Sequence, residues 1–485
     1  MIRSKFIDLL ATFTPHEVKE FDRFVNSLYF NKNKDVSRLF DLIKEFHPSL
    51  DSESLTKENL FRDLYPGQKY NDARIRNLLS NLYKLGEKFL QQIAFEEDSF
   101  SQKLTLSKEL NTRKLSKLFT STVKELNTEL KNSKIDNDYY IKQHNLENEV
   151  VEFFATGDQT IKAHHHLIKS AHYNFFNFLV RYFKMKLSLL TGMEFYKPDF
   201  DENSITLRDD LINEESIIKE IEKNHSKDNE LILVYYYGLQ VFKDVENETG
   251  FKKMKKLALG MMDKVSYKEK FSLYNCLENA CARRINAGKS NYVKELFEIQ
   301  KARVEAGIFS YTEEKTFHPS AFRNIVNMAI NMKEFDWAED FINKYKSFLH
   351  PKDRGNISAL SMTILEFNRG NYEKGLEQIT KVNLGNFIYK IEVRSLMLML
   401  YYELGYIEEA LNLINSFKQF LINDKSLSEN QKKRSENFLK AVSFLVKIKS
   451  GTKDRVNGYF GKEIERENMI GYKSWLIKKT EELAA

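Results

Sequence analysis

A turn-plus-aromatic signature recurs through the second half of this chain. It reads Thr249-Gly250-Phe251, Ser290-Asn291-Tyr292, Glu334-Phe335, Gly370-Asn371-Tyr372 and Gly405-Tyr406. The aromatic positions lie 41, 43, 37 and 34 residues apart. Each signature falls between two stretches with helical apolar spacing. That pattern predicts a series of helical hairpins, an architecture that binds other molecules far more often than it performs chemistry.

The rest of the chain agrees with an all-α fold. Only six prolines occur in 485 residues, and none between 67 and 197. Proline breaks helix interiors, so a long proline-free stretch with periodic Leu, Phe and Tyr predicts helices. Alternating apolar and polar runs rich in Val and Thr are nearly absent, which argues against a sheet. Hydrophobic residues make up 42% and charged residues 30%, the balance of an ordered chain. The length exceeds an ordinary single domain.

Three regions are expected. Residues 1–100 form an N-terminal helical module. Thr14-Pro15 with Glu17 is a helix start, and Val18, Phe21, Phe24, Val25 and Leu28 form the apolar face of the helix it opens. Thr56 opens a short helix, and Asn71 or Asp72 caps a long one with Ile75, Leu78, Leu79, Leu82, Leu85 and Phe89 on its buried stripe. Residues 101–227 read as long helices, broken at Asn132-Ser133, Thr156-Gly157-Asp158 and Gly192. The run Pro198 to Asn203 reads as a linker or ordered loop. Residues 228–485 form the repeat array.

The array resembles the tetratricopeptide repeat family. The family's turn, G-x-Y-x-x-A, is matched loosely at Gly370/Tyr372/Gly375 and closely at Gly405/Tyr406/Ala410. The other copies are degenerate, with periods above the family's roughly 34 residues. The resemblance covers about half the chain. It implies an irregular tetratricopeptide-like solenoid that holds a protein or peptide partner on the first helix of each hairpin. Arg323, Asn327, Asn331, Arg394 and Tyr401 are the candidate contacts.

A second resemblance concerns residues 36–90. The segment Leu55-Thr56-Lys57-Glu58-Asn59-Leu60 to Tyr65-Pro66-Gly67, followed by Asn71 to Leu90, resembles the helix-turn-helix of OmpR-like winged-helix regulators. It implies that the helix from Asp72 is a recognition helix. Arg74, Asn77, Asn81, Lys84 and Lys88 share one face of it and are residue types that read base edges and phosphates. The family's β-hairpin wing has no counterpart, because Gln91 to Leu110 reads as acidic loop and helix. The charge of residues 1–100 is also not basic, 15 Lys and Arg against 16 Asp and Glu. The alternative is a small helical bundle whose solvated face carries these residues.

Chemical motifs are absent. There is no serine elbow, HExxH pair or glycine-rich nucleotide loop. Gly288-Lys289-Ser290 lacks the upstream glycine of a phosphate-binding loop, since position 283 is Arg283. His164, His165 and His166 are consecutive and fan out around a helix, so they cannot converge on one ion. Asp199, Asp201 and Glu202 lack the rest of a calcium loop. No catalytic residue, cofactor or metal is therefore expected. Cys276 and Cys281, five apart on a predicted helix, should not pair with each other. The N-terminus lacks a cleavage site, and no apolar run reaches the roughly 18 residues of a membrane span. These features predict a cytoplasmic protein with a protein or peptide partner. Nucleic acid stands as the alternative partner, and no membrane contact is expected.

Overall fold

The computed structural model describes residues 4–196, 212–223, 229–312, 316–384, 389–424, 427–451 and 458–484. Among these residues every regular element is helical, apart from two single-residue bridges. The candidate linker Pro198 to Asn203, with its acidic residues, lies outside the described residues. The chain divides into two compact units. Unit 1 comprises residues 1–133 and 139–175, and unit 2 comprises residues 134–138 and 176–485. The long-helix region expected between the module and the array is thus shared between the two.

Unit 1 begins with α1 (Lys5–Leu10), α2 (Pro15–Val25), α3 (Lys34–Lys44), α4 (Lys57–Leu64) and α5 (Asp72–Glu97). Thr14 and Glu17 close a capping box on α2. Thr56 caps α4 and Asn71 caps α5 through their side-chain oxygens. α5 is the hub, because α1, α2, α3 and α4 all pack on it. Its buried side chains, from Ile75 to Phe89, merge with Phe6, Phe21, Phe40 and Phe61 into one core. Then follow α6 (Ser99–Thr112), α7 (Ser116–Asn132) and α8 (Tyr139–Thr156), which pack on one another around Leu104, Leu126 and Leu146.

Three expectations are corrected here. Leu28 does not join the apolar face of α2. The helix stops at Val25, where the Asn31 side chain takes the Val25 carbonyl, and Leu28 is 77% exposed. No acidic loop follows residue 90, since α5 runs unbroken to Glu97 and α6 starts two residues later. Gly192 breaks nothing: α9 (Thr160–Tyr196) continues through it. Glycine costs a helix only about 1 kcal/mol against alanine, and a long helix absorbs that.

Unit 2 continues with α10 (Glu214–Lys223) and then five helical hairpins. They are α11 (Glu230–Lys243) with α12 (Glu248–Met261), α13 (Tyr267–Asn286) with α14 (Tyr292–Glu305), α15 (Pro319–Asn331) with α16 (Phe335–Tyr345), α17 (Pro351–Arg369) with α18 (Tyr372–Ile379), and α19 (Lys390–Leu404) with α20 (Ile407–Asn423). Three further helices close the chain: α21 (Glu429–Lys449), α22 (Gly458–Arg466) and α23 (Lys473–Ala484). Every signature aromatic lies at the start of the second helix of a hairpin. Tyr292, Phe335 and Tyr372 are first residues, Tyr406 precedes α20, and Phe251 sits in the first turn of α12. Gly370 and Gly405 end α17 and α19 with φ of 83° and 77°, left-handed values that glycine adopts without strain. First helices also pack on first helices: α11 on α13, α15 on α17, α17 on α19, and α19 on α21.

Candidate functional site

Two surfaces carry the candidate residues. On α5, Arg74, Asn77, Asn81, Lys84 and Lys88 are all exposed, opposite the buried stripe. The face is not uniformly free. Arg74 stacks on the Tyr65 ring at 3.7 Å and pairs with Asp35 at 3.2 Å, while the Tyr65 hydroxyl donates to the same carboxylate. Beyond Lys88 the stripe runs into a shallow hollow formed with Tyr29, Phe30, Gln91, Gln92 and Phe95. Tyr29 is 88% exposed, and Leu28 beside it is also on the surface. The sequence reading missed this apolar patch. Its only signal is that Leu28-Tyr29-Phe30 abuts the polar break Asn31 to Lys34. After α5 the chain forms α6 and α7, so no wing follows within the described residues.

In unit 2 the five candidate contacts sit on α15 and α19, but they do not form one patch of free groups. The Arg323 guanidinium stacks on Tyr389 at 3.9 Å and pairs with Glu392 of α19. Arg394 stacks on Phe420 at 4.0 Å and donates to the Lys390 carbonyl. Tyr401 packs on Tyr406. Asn327 is half-buried, and Asn331 is exposed at the end of α15. Arg323 thus ties two hairpins together, and Arg394 ties the two helices of one hairpin.

The concave features lie beside them. A groove of about 1600 Å³ runs past Phe271, Asn275, Tyr311, His318, His350 and Tyr389. It is bordered by the starts of α15 and α17, where the chain enters in the same way twice. Phe317 pairs with Leu349 in a parallel bridge, and His318-Pro319 and His350-Pro351 then open the two helices. Each histidine Nδ1 accepts a backbone N–H, Ser320 or Lys352, as a cap. A second cleft, of about 730 Å³, is walled by Tyr389, Phe420, Phe438 and Tyr472, with Lys390, Glu392 and Arg434 at its polar side. Burial raises the Glu392 carboxyl above the usual range, and Arg323 opposes the shift. Burial and the nearby Glu392 push the Tyr472 phenol up.

The cysteines and two of the consecutive histidines are buried or engaged. Cys276 and Cys281 are free and buried, and burial pushes each thiol up to about 12. His166 bonds Glu147 at 2.5 Å and stacks on Phe154, while His164 bonds the Thr160 carbonyl. Among the described residues no group of three His, Cys, Asp or Glu is placed to hold a metal. Lys289 is engaged by Glu246 and Glu248. No described helix is long and apolar enough to cross a membrane. Set beside known protein families, curated proteins and solved structures, the chain matches none of them.

Proposed function

We propose that unit 2 is an irregular tetratricopeptide-like array that holds a protein or peptide partner and performs no chemistry on it. One observation carries this reading. The second, third and fourth hairpins, with Tyr389, line a groove of about 1600 Å³, larger than the roughly 300–1,000 Å³ of an ordinary small-molecule pocket. Its lining mixes aromatic surface (Phe271, Tyr311, Tyr389) with amide and imidazole groups (Asn275, His318, His350), the mix that suits an extended polypeptide. A hairpin array forms its groove before binding, so little ordering entropy opposes association. The test is a photo-crosslinking side chain at Tyr311, which is 52% exposed in the groove, in the full-length chain in its native cell. Adducts with one or a few proteins are expected. No adduct at Tyr311, with adducts from a probe at Asn81 instead, would remove the reading.

A second reading rests on the joint exposure of Arg74, Asn77, Asn81, Lys84 and Lys88 along α5. In it, unit 1 binds duplex DNA and the chain is a transcriptional regulator. The near-neutral charge of residues 1–100 and the Arg74–Asp35 pair both weigh against it. Weak or undetectable binding at physiological salt is the expected outcome of an anisotropy titration with the full chain. Sequence-selective, salt-sensitive binding tighter than about 1 μM would exceed the ordinary non-specific range and would favour the regulator.

A further inference from the structure

The first turns of α9 carry an apolar row that unit 1 leaves uncovered. Unit 1 holds this part of the helix by its opposite face. Ala163 and Ser170 are buried there, the His166 imidazole bonds Glu147 of α8, and the Ser170 hydroxyl bonds His144 and Asn148 of the same helix. These directional bonds fix the rotation of α9 about its axis. The outward face is therefore set. It carries Ile161, Ile168 and Phe175, each seven residues from the next. They are 79%, 69% and 43% exposed. Leu167 is exposed as well and extends the apolar surface to one side. A single exposed isoleucine is ordinary, but large apolar groups in line mark a contact surface.

Charge lies along the other side of the row. Lys162, His165, Lys169 and His172 follow one another at spacings of three and four, so they form a second exposed row beside the apolar one. Lys162 lies over the Phe154 ring and bonds the Gln159 side chain. Neither Lys162 nor Lys169 holds an ion pair among the described residues. The helix itself offers no answering acid, because residues 159–193 contain no Asp or Glu. The acids of α8 are placed elsewhere. Glu147 takes His166, Glu149 takes Lys108, and Glu152 stands close to Glu149. Asp158 precedes the helix in the left-handed conformation and pairs with neither lysine. On the Leu167 side the row is flanked by Ala171 and by His164, which bonds the Thr160 carbonyl.

We propose that this face of α9 is the docking site for an amphipathic helix of a partner protein, one with an apolar heptad row and Asp or Glu along one flank. Seven-residue spacing is the repeat that keeps two helices in register. With Ile161, Ile168 and Phe175 at d, Lys162 and Lys169 fall at e, the position from which charges bridge to a facing helix. His165 and His172 fall at a, and His164 and Ala171 at g. The lysines therefore ask for acids on one flank of the partner only. A second copy of α9 brings no acid to answer them. An anionic bilayer meets both margins of an apolar stripe alike, so cations along one margin fit a helix better than a membrane surface. The site belongs to unit 1, and it stands or falls apart from the array.

The test pans a library of three-heptad helical peptides on the immobilised full-length chain. Their a and d positions are Leu, and e and g are drawn independently from Glu, Gln and Lys. Enrichment of Glu at one of these two flanks is expected. The enriched peptide should bind at least about tenfold more weakly to Ile161→Ser/Ile168→Ser, which removes the apolar contact. On Lys162→Glu/Lys169→Glu the selected residue at that flank should switch from Glu to Lys. Both pairs change exposed side chains, so the melting temperature should stay at the parent's. Enrichment of Lys on the parent, no enrichment, or a selected peptide indifferent to both variants would overturn the proposal. Two other occupants would overturn it as well. Binding to vesicles of phosphatidylserine in phosphatidylcholine that Ile161→Ser/Ile168→Ser abolishes, with no peptide selected, would make the face a membrane contact. A monomer–dimer equilibrium in sedimentation that the same pair abolishes, again with no peptide selected, would make it an interface between copies.

Discussion

The two units solve the same problem, burying helices against helices, in opposite ways. The first five helices of unit 1 share one core around a hub, α5, and their charged side chains stay near the surface in simple pairs such as Arg23–Glu20 and Lys57–Asp72. Unit 2 has no hub. Its core is distributed along the chain, with one cluster from Phe297 to Leu400 and the next from Leu398 to Leu476. It also buries charge at the junctions. Arg284 is wholly buried between the Phe251 and Tyr292 rings and bonds three backbone carbonyls, and Glu269 takes Lys184 and the Tyr235 hydroxyl. A hub makes helices interdependent. A serial stack makes each hairpin depend on its neighbours, and directional polar contacts fix how successive hairpins sit.

The largest expected effect tests the hub. Phe21 is fully buried and touches the rings of Phe6, Phe13, Phe24, Phe40 and Phe89. Phe21→Ala should cost about 4 kcal/mol. Hydrogen exchange should show α1 to α5 losing protection together. Phe417→Ala, of similar size at a buried site in the last cluster of unit 2, should open α20 to α23 and leave α11 to α14 protected. If Phe21→Ala leaves α3 and α4 protected, or Phe417→Ala opens the whole of unit 2, the contrast fails.

The next effect probes the buried charges. Lys184→Met leaves the Glu269 carboxylate without its cation in a nearly water-free site, a change expected to cost about 3 kcal/mol. Adding Glu269→Gln removes the stranded charge and keeps an acceptor for Tyr235. The double variant should therefore recover most of the loss, which a double-mutant cycle in urea would read. An additive pair would mean that Lys184 and Glu269 are not coupled.

Ala410 sharpens the serial half of the comparison. It is fully buried in the first turn of α20, and its N–H bonds the Tyr406 carbonyl just beyond the Gly405 turn. Ala410→Leu should overpack the α19–α20 contact and lower stability by about 2 kcal/mol. An unchanged melting midpoint would place the hairpin contact elsewhere.

What was readable in the sequence follows the same division. Local signals were explicit. Thr14/Glu17, Asn71, Gly370 and Gly405 are caps whose chemistry is complete within a few residues, and the signature aromatics mark hairpin turns because helix starts place them there. The all-α class follows from the scarcity of proline and of alternating Val- and Thr-rich runs. Leu28 was misplaced because nothing in its periodicity announces that Asn31 folds back to take the Val25 carbonyl. Gly192 was misread because a single glycine is only a small penalty in a long helix. The clefts were invisible for a stronger reason. Arg323 meets Glu392 across 69 residues, Tyr389 and Tyr472 precede different helices, α19 and α23, and positive φ at a tyrosine has no sequence signature. Arg323 and Arg394 are expected as partner contacts because they lie on the first helices of their hairpins. Their guanidinium planes instead rest on Tyr389 and Phe420, aromatics that face analysis of one helix cannot see.

The smallest effect separates the units by pH. Asp98 ends α5 and caps α6, where it accepts the Ser101 hydroxyl at 2.5 Å and the Ser101 N–H at 3.1 Å. The Ser101 hydroxyl bond holds its carboxyl below the usual range, although partial burial opposes the shift. A carboxyl that is more acidic folded than unfolded stabilises the fold wherever it is ionised. That contribution is complete above the unfolded value of about 3.9 and fades as pH falls through the lower folded value. Asp98→Ala should therefore cost about 1 kcal/mol at pH 7, the usual worth of a cap, and the difference from the parent should narrow in acid. Glu392 in unit 2 has the reverse sign. Its folded carboxyl titrates higher than normal because it is buried, so its contribution is present in acid and lost as pH rises through the raised value. Urea titrations of the parent and Asp98→Ala between pH 7 and pH 3 would show this for unit 1. A gap that stays constant over that range would mean that Asp98 acts through shape and not through charge.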